Sequence, residues 1–523
     1  MKKIVSKLVA WCKANRTETI ILGIILLVAA FCRLYKIDQY MTFLGDEGRD
    51  VIIVRDIFVK LHPPLIGPGT SIGNMYLGPL YYYMMALPLL LAGLSPVGPA
   101  VMIAVLGIIT VGMVWWIERE WFPSEPGKVS WGALIASGLY AISPTVIIYS
   151  RSSWNPNIMP FFALLSIYSI WRVWRKNELN WLIVMGISFA FVLQSHYLGL
   201  LLAPTLFIFW CLSLLKIRKE EVVRRMFVKK SIIGIVGFLV LMSPLLFFDI
   251  RHNFINTKAV YAFFTDRQVT VSAKPWSAFP KMPVLTTQII TSLIGGRNVM
   301  IGEISSIVVV LTLLYFLSRT FVIKKMKFKG ISSSAYLIFS WTLFVLVGLG
   351  MYKQDVYDHY FGFLFPAPFL IIGGISEHLL RTRKILIKLV VIISVSGLTL
   401  TALINNPFRY APNNQLGRAE DVAKKIEEAS GGSRFNLGVI ALQNYEDGYK
   451  YFLLKDGAPV VDIDSQVKDS ITNQLFAVCE LPEDKCDPTH SALAAIANFG
   501  WSKIDGSWEV DGVTVYKLVH YVK

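Results

Sequence analysis

The sequence predicts a polytopic α-helical membrane protein of about eleven transmembrane helices, followed by a small C-terminal α/β domain. Three observations carry that prediction. The 523 residues are 54% hydrophobic and only 16% charged, against about a quarter charged in an ordinary soluble domain. Apolar runs close to the roughly 20 residues that cross a bilayer recur as far as residue 404. Composition then shifts: residues 405–523 hold 12 Lys/Arg against 17 Asp/Glu, while residues 1–404 hold 39 against 18. A net charge of +16 would suggest nucleic acid in a polar chain. In one this apolar it marks the cytoplasmic loops of a membrane protein, and no nucleic-acid partner is expected.

The basic start (Lys2, Lys3, Lys7, Lys13, Arg16) leads into Ile20–Cys32 with no small-residue cleavage site, so the first run reads as a retained helix. Spans are expected at 18–36, 98–117, 130–150, 158–174, 180–195, 198–215, 231–250, 303–321, 332–351, 359–380 and 385–404. Basic loops fix their direction: the N-terminus, Arg172–Lys176, Lys216–Lys230, Arg319–Lys329 and Arg381–Lys384 are placed in the cytoplasm. Residues 37–97 then begin and end outside. Tyr76–Leu94 cannot be one full crossing, and its two prolines and four tyrosines suit an interfacial or re-entrant helix. A second interfacial helix is expected at Glu47–Lys60. Residues 251–298 fall outside although they carry six Lys/Arg against one Asp; a site for an anionic ligand would account for that charge. The chain is expected in the plasma (inner) membrane, N-terminus inside and C-terminal domain outside.

In the tail, Leu416–Ala429 has the pattern of an amphipathic helix. Phe435–Leu442, Leu475–Cys479 and Val513–Val519 have strand-like content. Asp511–Gly512 is a favoured two-residue hairpin turn. Cys479 and Cys486 can pair in an oxidising compartment; the alternative is two reduced cysteines in a loop. No paired metal-ligand spacing and no phosphate-binding glycine loop is present.

Polar residues at span ends show where chemistry can sit. Five distant segments converge on the outer side: LGDEGRD (Asp46, Glu47, Arg49), YSRSSWNPN (Arg151, Trp154, Asn155), QSHYLG (Gln194, His196), FDIRHNF (Asp249, Arg251, His252) and YDHYFGF (Asp358, His359, Tyr360). Each also has a plainer reading. Asp46 suits the N-cap of the following helix as well as a general base. Arg151, Arg251, His252 and His359 can snorkel to lipid phosphates, or together bind one donor phosphate. His196 can simply end a helix. Trp154 and the Tyr76–Tyr83 cluster fit an interfacial aromatic belt as well as stacking on a sugar.

With these residues in place the sequence resembles the polytopic GT-C glycosyltransferases, close to the protein O-mannosyltransferase and lipid A aminoarabinose transferase families. The resemblance runs through residues 18–404. It rests on Asp46–Glu47 in a long first outer loop, on the two interfacial helices there, and on His359–Tyr360 before the Pro-rich FGFLFPAPF. It implies a sugar taken from a polyprenyl-phosphate donor and passed to a protein, lipid or glycan acceptor. By position, Asp46 and Glu47 would be catalytic. Arg151, Arg251, His252, His359 and Tyr360 would hold the donor phosphate, and Arg49, Trp154, Asn155 and His196 would contact substrate. Relatives often carry an Asp in the second outer loop; here SSWNPN places Asn155 there. Asn can neither act as a base nor balance a metal's charge, so no metal and no cofactor is expected. A single displacement through an oxocarbenium-like state would invert the anomeric carbon. The rival is a lipid-linked saccharide flippase or other transporter. That class should show inverted repeats and mid-membrane polar sites, and neither is evident.

Overall fold

A computed structural model describes residues 2–70, 73–265, 271–272, 274–322, 331–464 and 466–521. Each expected span falls on a helix. By length and composition seven helices among the described residues can cross a membrane: Arg16–Leu34, Val97–Trp121, Tyr197–Ile217, Glu221–Arg251, Val299–Ser318, Ser334–Met351 and Ile385–Ile404. An eighth is the bent pair Asp358–Leu364 and Pro366–Leu380, which turns by 51°. The remaining three expected spans fall on Trp131–Ile142, Met159–Lys176 and Trp181–Ser195, which are shorter or end in charge. The chain is an integral membrane protein. Its exposed large apolar side chains, such as Leu386 and Ile393, stand on these helices, where lipid would cover them.

Helices approach closely where side chains are smallest. On Trp181–Ser195, a Cβ at Gly186 would lie 2.2 Å from the carbonyl oxygen of Gly234 on Glu221–Arg251. Only glycine permits that contact, the usual solution where apolar side chains gain nothing by leaving lipid. Residues 323–330, most of the basic loop placed in the cytoplasm, lie outside the described residues, as does Arg267 of the basic loop 251–298.

In the first loop, helix Gly45–Val59 is followed by a short antiparallel ribbon and by helix Leu80–Leu91, shorter than the Tyr76–Leu94 run and interrupted by Pro88. One expectation is corrected here. Asp46 is not the N-cap: Leu44 holds that position, and the helix begins at Gly45. The Glu47 side chain reaches back to accept the Leu44 N–H at 3.0 Å, the acid half of a capping box. The helix also starts two residues before the expected Glu47.

The C-terminal domain contains helix Gln415–Ser430 and a four-stranded sheet. Strands Asn436–Ile440 and Gln474–Cys479 pair in parallel; Val513–His520 lies antiparallel to the second and forms a hairpin with Ser502–Val510. Asp511 and Gly512 both have positive φ (45° and 79°), as a two-residue hairpin turn of this hand requires. Cys479 and Cys486 are joined by a disulfide.

Candidate active site

The LGDEGRD segment builds the site. Helix Gly45–Val59 buries Val51 and Val54 in the core, so its first turn is anchored from below. Asp46 faces outward and keeps 41% of its side chain exposed. Asp50, one turn on, is fully buried. An acid on an interfacial helix would ordinarily face water, so this burial has to be compensated. Burial is tolerated because Arg49 donates to Asp50 Oδ1 through Nε and Nη2 (3.0 and 2.7 Å) and Tyr82 donates to the same oxygen (3.1 Å). Arg49 Nη1 also donates to Asp46 Oδ1 at 2.7 Å. One guanidinium thus ties both aspartates into one rigid unit. Burial pushes the Glu47 carboxyl up to about 7 and, against the pull of Arg49, that of Asp50 up to about 6.

The second contributor is the C-terminal domain. Asn444 Oδ1 accepts the Gly45 N–H at 2.8 Å, and Tyr445 Oη donates to Asp46 Oδ1 at 2.6 Å. Farther along, Gln415 Oε1 accepts the Phe43 N–H (3.1 Å) and Arg55 donates to the Leu454 carbonyl (2.9 Å). The tail is therefore bolted to the first loop, and its loop after strand Asn436–Ile440 reaches the outward-facing carboxylate.

Between the two lies a pocket of about 280 Å³, lined by Asp46, Glu47, Tyr149, Trp154, Gln443 and Tyr445 among others. Beyond Trp154 the site continues as an aromatic group. The Trp154 and His359 rings lie 4.6 Å apart, His359 and Tyr360 4.6 Å, and His196 and Tyr360 5.0 Å. His359 is within electrostatic reach of Asp46. Next to His359, Asp358 accepts from Ser292 (2.8 Å) and pairs with Arg297 (3.3 Å). His196 Nδ1 accepts the Leu198 N–H at 3.2 Å and so starts the turn Tyr197–Leu202.

The structure brings Asp46, Glu47, Arg49, Trp154, His196, His359 and Tyr360 into this neighbourhood. Other candidates have different partners. Arg151 donates to the Tyr35 carbonyl (2.7 Å) and stacks over Tyr40 and Phe408 (4.9 and 4.8 Å). Asn155 donates to the Ser195 carbonyl at 2.6 Å, and Gln194 to the Leu241 carbonyl at 3.0 Å. Asp249 receives the Asn256 N–H (2.7 Å) and so starts helix Ile255–Thr265. Arg251 lies over Phe247 (5.5 Å) and His252 stacks on Phe248 (4.0 Å), both exposed. Residues the sequence did not single out are Asp50, Asn157, Arg297, Gln443 and Tyr445. Asp50 had a signal, an acid one helical turn after Asp46 with an arginine between. Tyr445 had none.

The architecture as a whole decides the comparison with known structures. The model aligns with ArnT from Cupriavidus metallidurans bound to undecaprenyl phosphate at TM-score 0.61 and 12% identity, covering 95% of this chain and 97% of that one. The apo state of the same enzyme aligns at 0.60 and 13%, covering 97% and 98%. The chain has the GT-C fold. The archaeal oligosaccharyltransferase AglB from Archaeoglobus fulgidus, solved with an inhibitory peptide and a dolichol-phosphate, shares this fold at 0.52 and 12%, covering 89% of this chain and 70% of AglB. By sequence, residues 77–248 match the family described as dolichyl-phosphate-mannose-protein mannosyltransferase. No curated protein matches the chain by sequence. Within the GT-C fold the matched family segment starts after Asp46, so it takes in Trp154 and His196 of the site but not the LGDEGRD turn itself.

Proposed function

We propose that the protein is a membrane glycosyltransferase. It takes a sugar from a polyprenyl-phosphate donor and passes it to an acceptor hydroxyl on the extracytoplasmic side, with inversion. The observation that carries this reading is Asp46: a partly exposed carboxylate, fixed at 2.7 and 2.6 Å by Arg49 and Tyr445, at the edge of a pocket shared with the C-terminal domain. The matched mannosyltransferase family and the lipid phosphates bound by ArnT and AglB support the donor class. The disulfide and the basic loops support the orientation.

In this mechanism the acceptor O–H gives its proton to Asp46 as its oxygen bonds to the anomeric carbon. The bond from that carbon to the phosphate oxygen breaks, and polyprenyl phosphate leaves with the electron pair. The leaving group is an anion and needs positive charge more than an acid. Arg297, paired with Asp358 next to His359, is the cation at this cluster that supplies it, with no metal ion; Arg251 and His252 lie on a separate stretch and would meet the lipid phosphate only from outside this cluster.

The test is transfer of labelled sugar from a polyprenyl-phosphate donor by the purified protein in lipid nanodiscs. Asp46→Asn is expected to lower the rate by about 10²–10⁴-fold with donor binding retained. Undiminished transfer by Asp46→Asn, or a product of retained anomeric configuration, would refute the mechanism. Movement of the intact lipid-linked sugar across the bilayer without transfer would favour a flippase.

A further inference from the structure

The pocket beside Asp46 is formed by both domains, and its chemistry is selective. Its charged lining residues are Asp46 and Glu47; among the described residues no Lys, Arg or His lines it. Trp154, Tyr149 and Tyr445 give it aromatic walls, and Gln443 and Asn157 give it amides. Its volume, about 280 Å³, is at the small end for ligand pockets and has room for a single ring. One buried group is left unsatisfied. Asn157 is 8% exposed; its Nδ2 donates to the Ser152 carbonyl at 2.8 Å, while its Oδ1 is buried without a partner among the described residues. A buried acceptor atom in that state is costly unless something donates to it.

Asp46 is presented to the pocket asymmetrically. Arg49 and Tyr445 both donate to Oδ1. Oδ2 accepts no hydrogen bond among the described residues. Fixing one oxygen with two donors sets the carboxylate plane and leaves the other oxygen for a donor that arrives with the ligand. The tail's contribution is held firmly. Asn444 Nδ2 donates to Glu480 at 2.5 Å, and Tyr449 donates to the same carboxylate at 2.7 Å. Asn444 and Glu480 follow the carboxyl ends of the two parallel strands, the edge where α/β sheets generally present ligand-binding loops.

We propose that this pocket is the acceptor subsite, shaped for a neutral hydroxyl-bearing ring such as a sugar unit, and that Tyr445 of the C-terminal domain is its positioning residue. This rests on the transferase reading above. One ring hydroxyl donates to Asp46 Oδ2 and becomes the nucleophile. A second satisfies Asn157 Oδ1, and the aromatic walls flank the ring. An anionic acceptor would find the Asp46 carboxylate and no cation among the described lining residues. The soluble domain thereby helps choose the acceptor.

Two arms test this on the full-length protein in nanodiscs. The first measures equilibrium binding of octyl mannoside and of its 6-phosphate ester. The neutral probe is expected to bind at least about tenfold more tightly, and Asn157→Ala and the surface variant Gln443→Ala should each weaken it several-fold, in line with loss of one hydrogen bond. Equal or tighter binding of the phosphate ester, or no effect of either variant, overturns the subsite. The second arm measures transfer from a polyprenyl-phosphate sugar. Tyr445→Phe should lower kcat about tenfold, leave the donor KM unchanged, and add nothing on top of Asp46→Asn. If the wild type transfers sugar and Tyr445→Phe matches it, the positioning role is wrong while the transferase reading stands. If the wild type transfers nothing, that reading fails, and the binding arm still judges the pocket.

Discussion

Gly48 offers a sharp test of the docking between the two domains. An exposed helical Gly→Ala change ordinarily stabilises by about 1 kcal/mol. Here the new Cβ would lie 2.3 Å from the backbone of Asp447 and Gly448. Ordinary contact begins at 3.4 Å, so the backbone of helix Asp447–Asp456 must retreat by about an ångström. Backbone cannot rotate away as a side chain can, and overpacking of this kind costs about 1–3 kcal/mol. The same retreat stretches the Asn444–Gly45 and Tyr445–Asp46 hydrogen bonds from 2.8 and 2.6 Å. A hydrogen bond to a charged group contributes about 1.5–3 kcal/mol. Gly48→Ala is therefore expected to destabilise by a few kcal/mol, the reverse of its propensity. Limited proteolysis should cut faster in the 405–414 connection, and transfer activity should fall with it. Gly23→Ala is the control, since a Cβ there meets nothing within 4 Å. If Gly48→Ala behaves like Gly23→Ala in both assays, the docked arrangement is refuted.

Other outcomes follow from the same geometry. Glu47 has a folded pKa raised to about 7, so the native state binds the extra proton and stability falls as pH rises from about 4.5 to 7; the full penalty is on the order of 3 kcal/mol. Glu47→Gln should flatten that slope in a thermal-unfolding series, and an unchanged slope would assign it elsewhere. Arg297→Ala should raise the donor KM several-fold while acceptor binding stays the same; the opposite split would remove Arg297 from the donor side. Cys479 and Cys486 close a short loop (separation 7), so replacing both by Ser should cost about 2–3 kcal/mol and lower the unfolding temperature of the C-terminal domain by several degrees. Transfer should be insensitive to a chelator; loss of activity restored by a divalent cation would contradict the metal-free mechanism.

Much of the fold was legible because bilayer and sheet impose simple periods. Apolar runs gave the positions of the span helices, and alternating content with Asp511–Gly512 gave the tail hairpin. Helix ends were less legible. Asp46 had the right chemistry for an N-cap, yet the chain entered the helix two residues earlier because Glu47 could close back on Leu44. The burial of Asp50 was not legible, because an acid on an interfacial helix reads as solvated and only its partners show otherwise. Those partners, Arg49 beside it and Tyr82 from the next helix, become visible as such only after folding.

The sequence by itself determined the class of protein, the positions of the apolar helices and the LGDEGRD turn as the place to look. These depend on local composition, because a bilayer selects length and hydropathy and a carboxylate at its surface is conspicuous. The tertiary structure alone decided which polar residues share a pocket. Tyr445 stands nearly four hundred residues from Asp46 (separation 399), and nothing in its neighbourhood marks it. Arg151 looked like a phosphate ligand until its guanidinium was seen against Tyr35, Tyr40 and Phe408. A side chain's type is written in the sequence, but its partner is set by how distant helices pack.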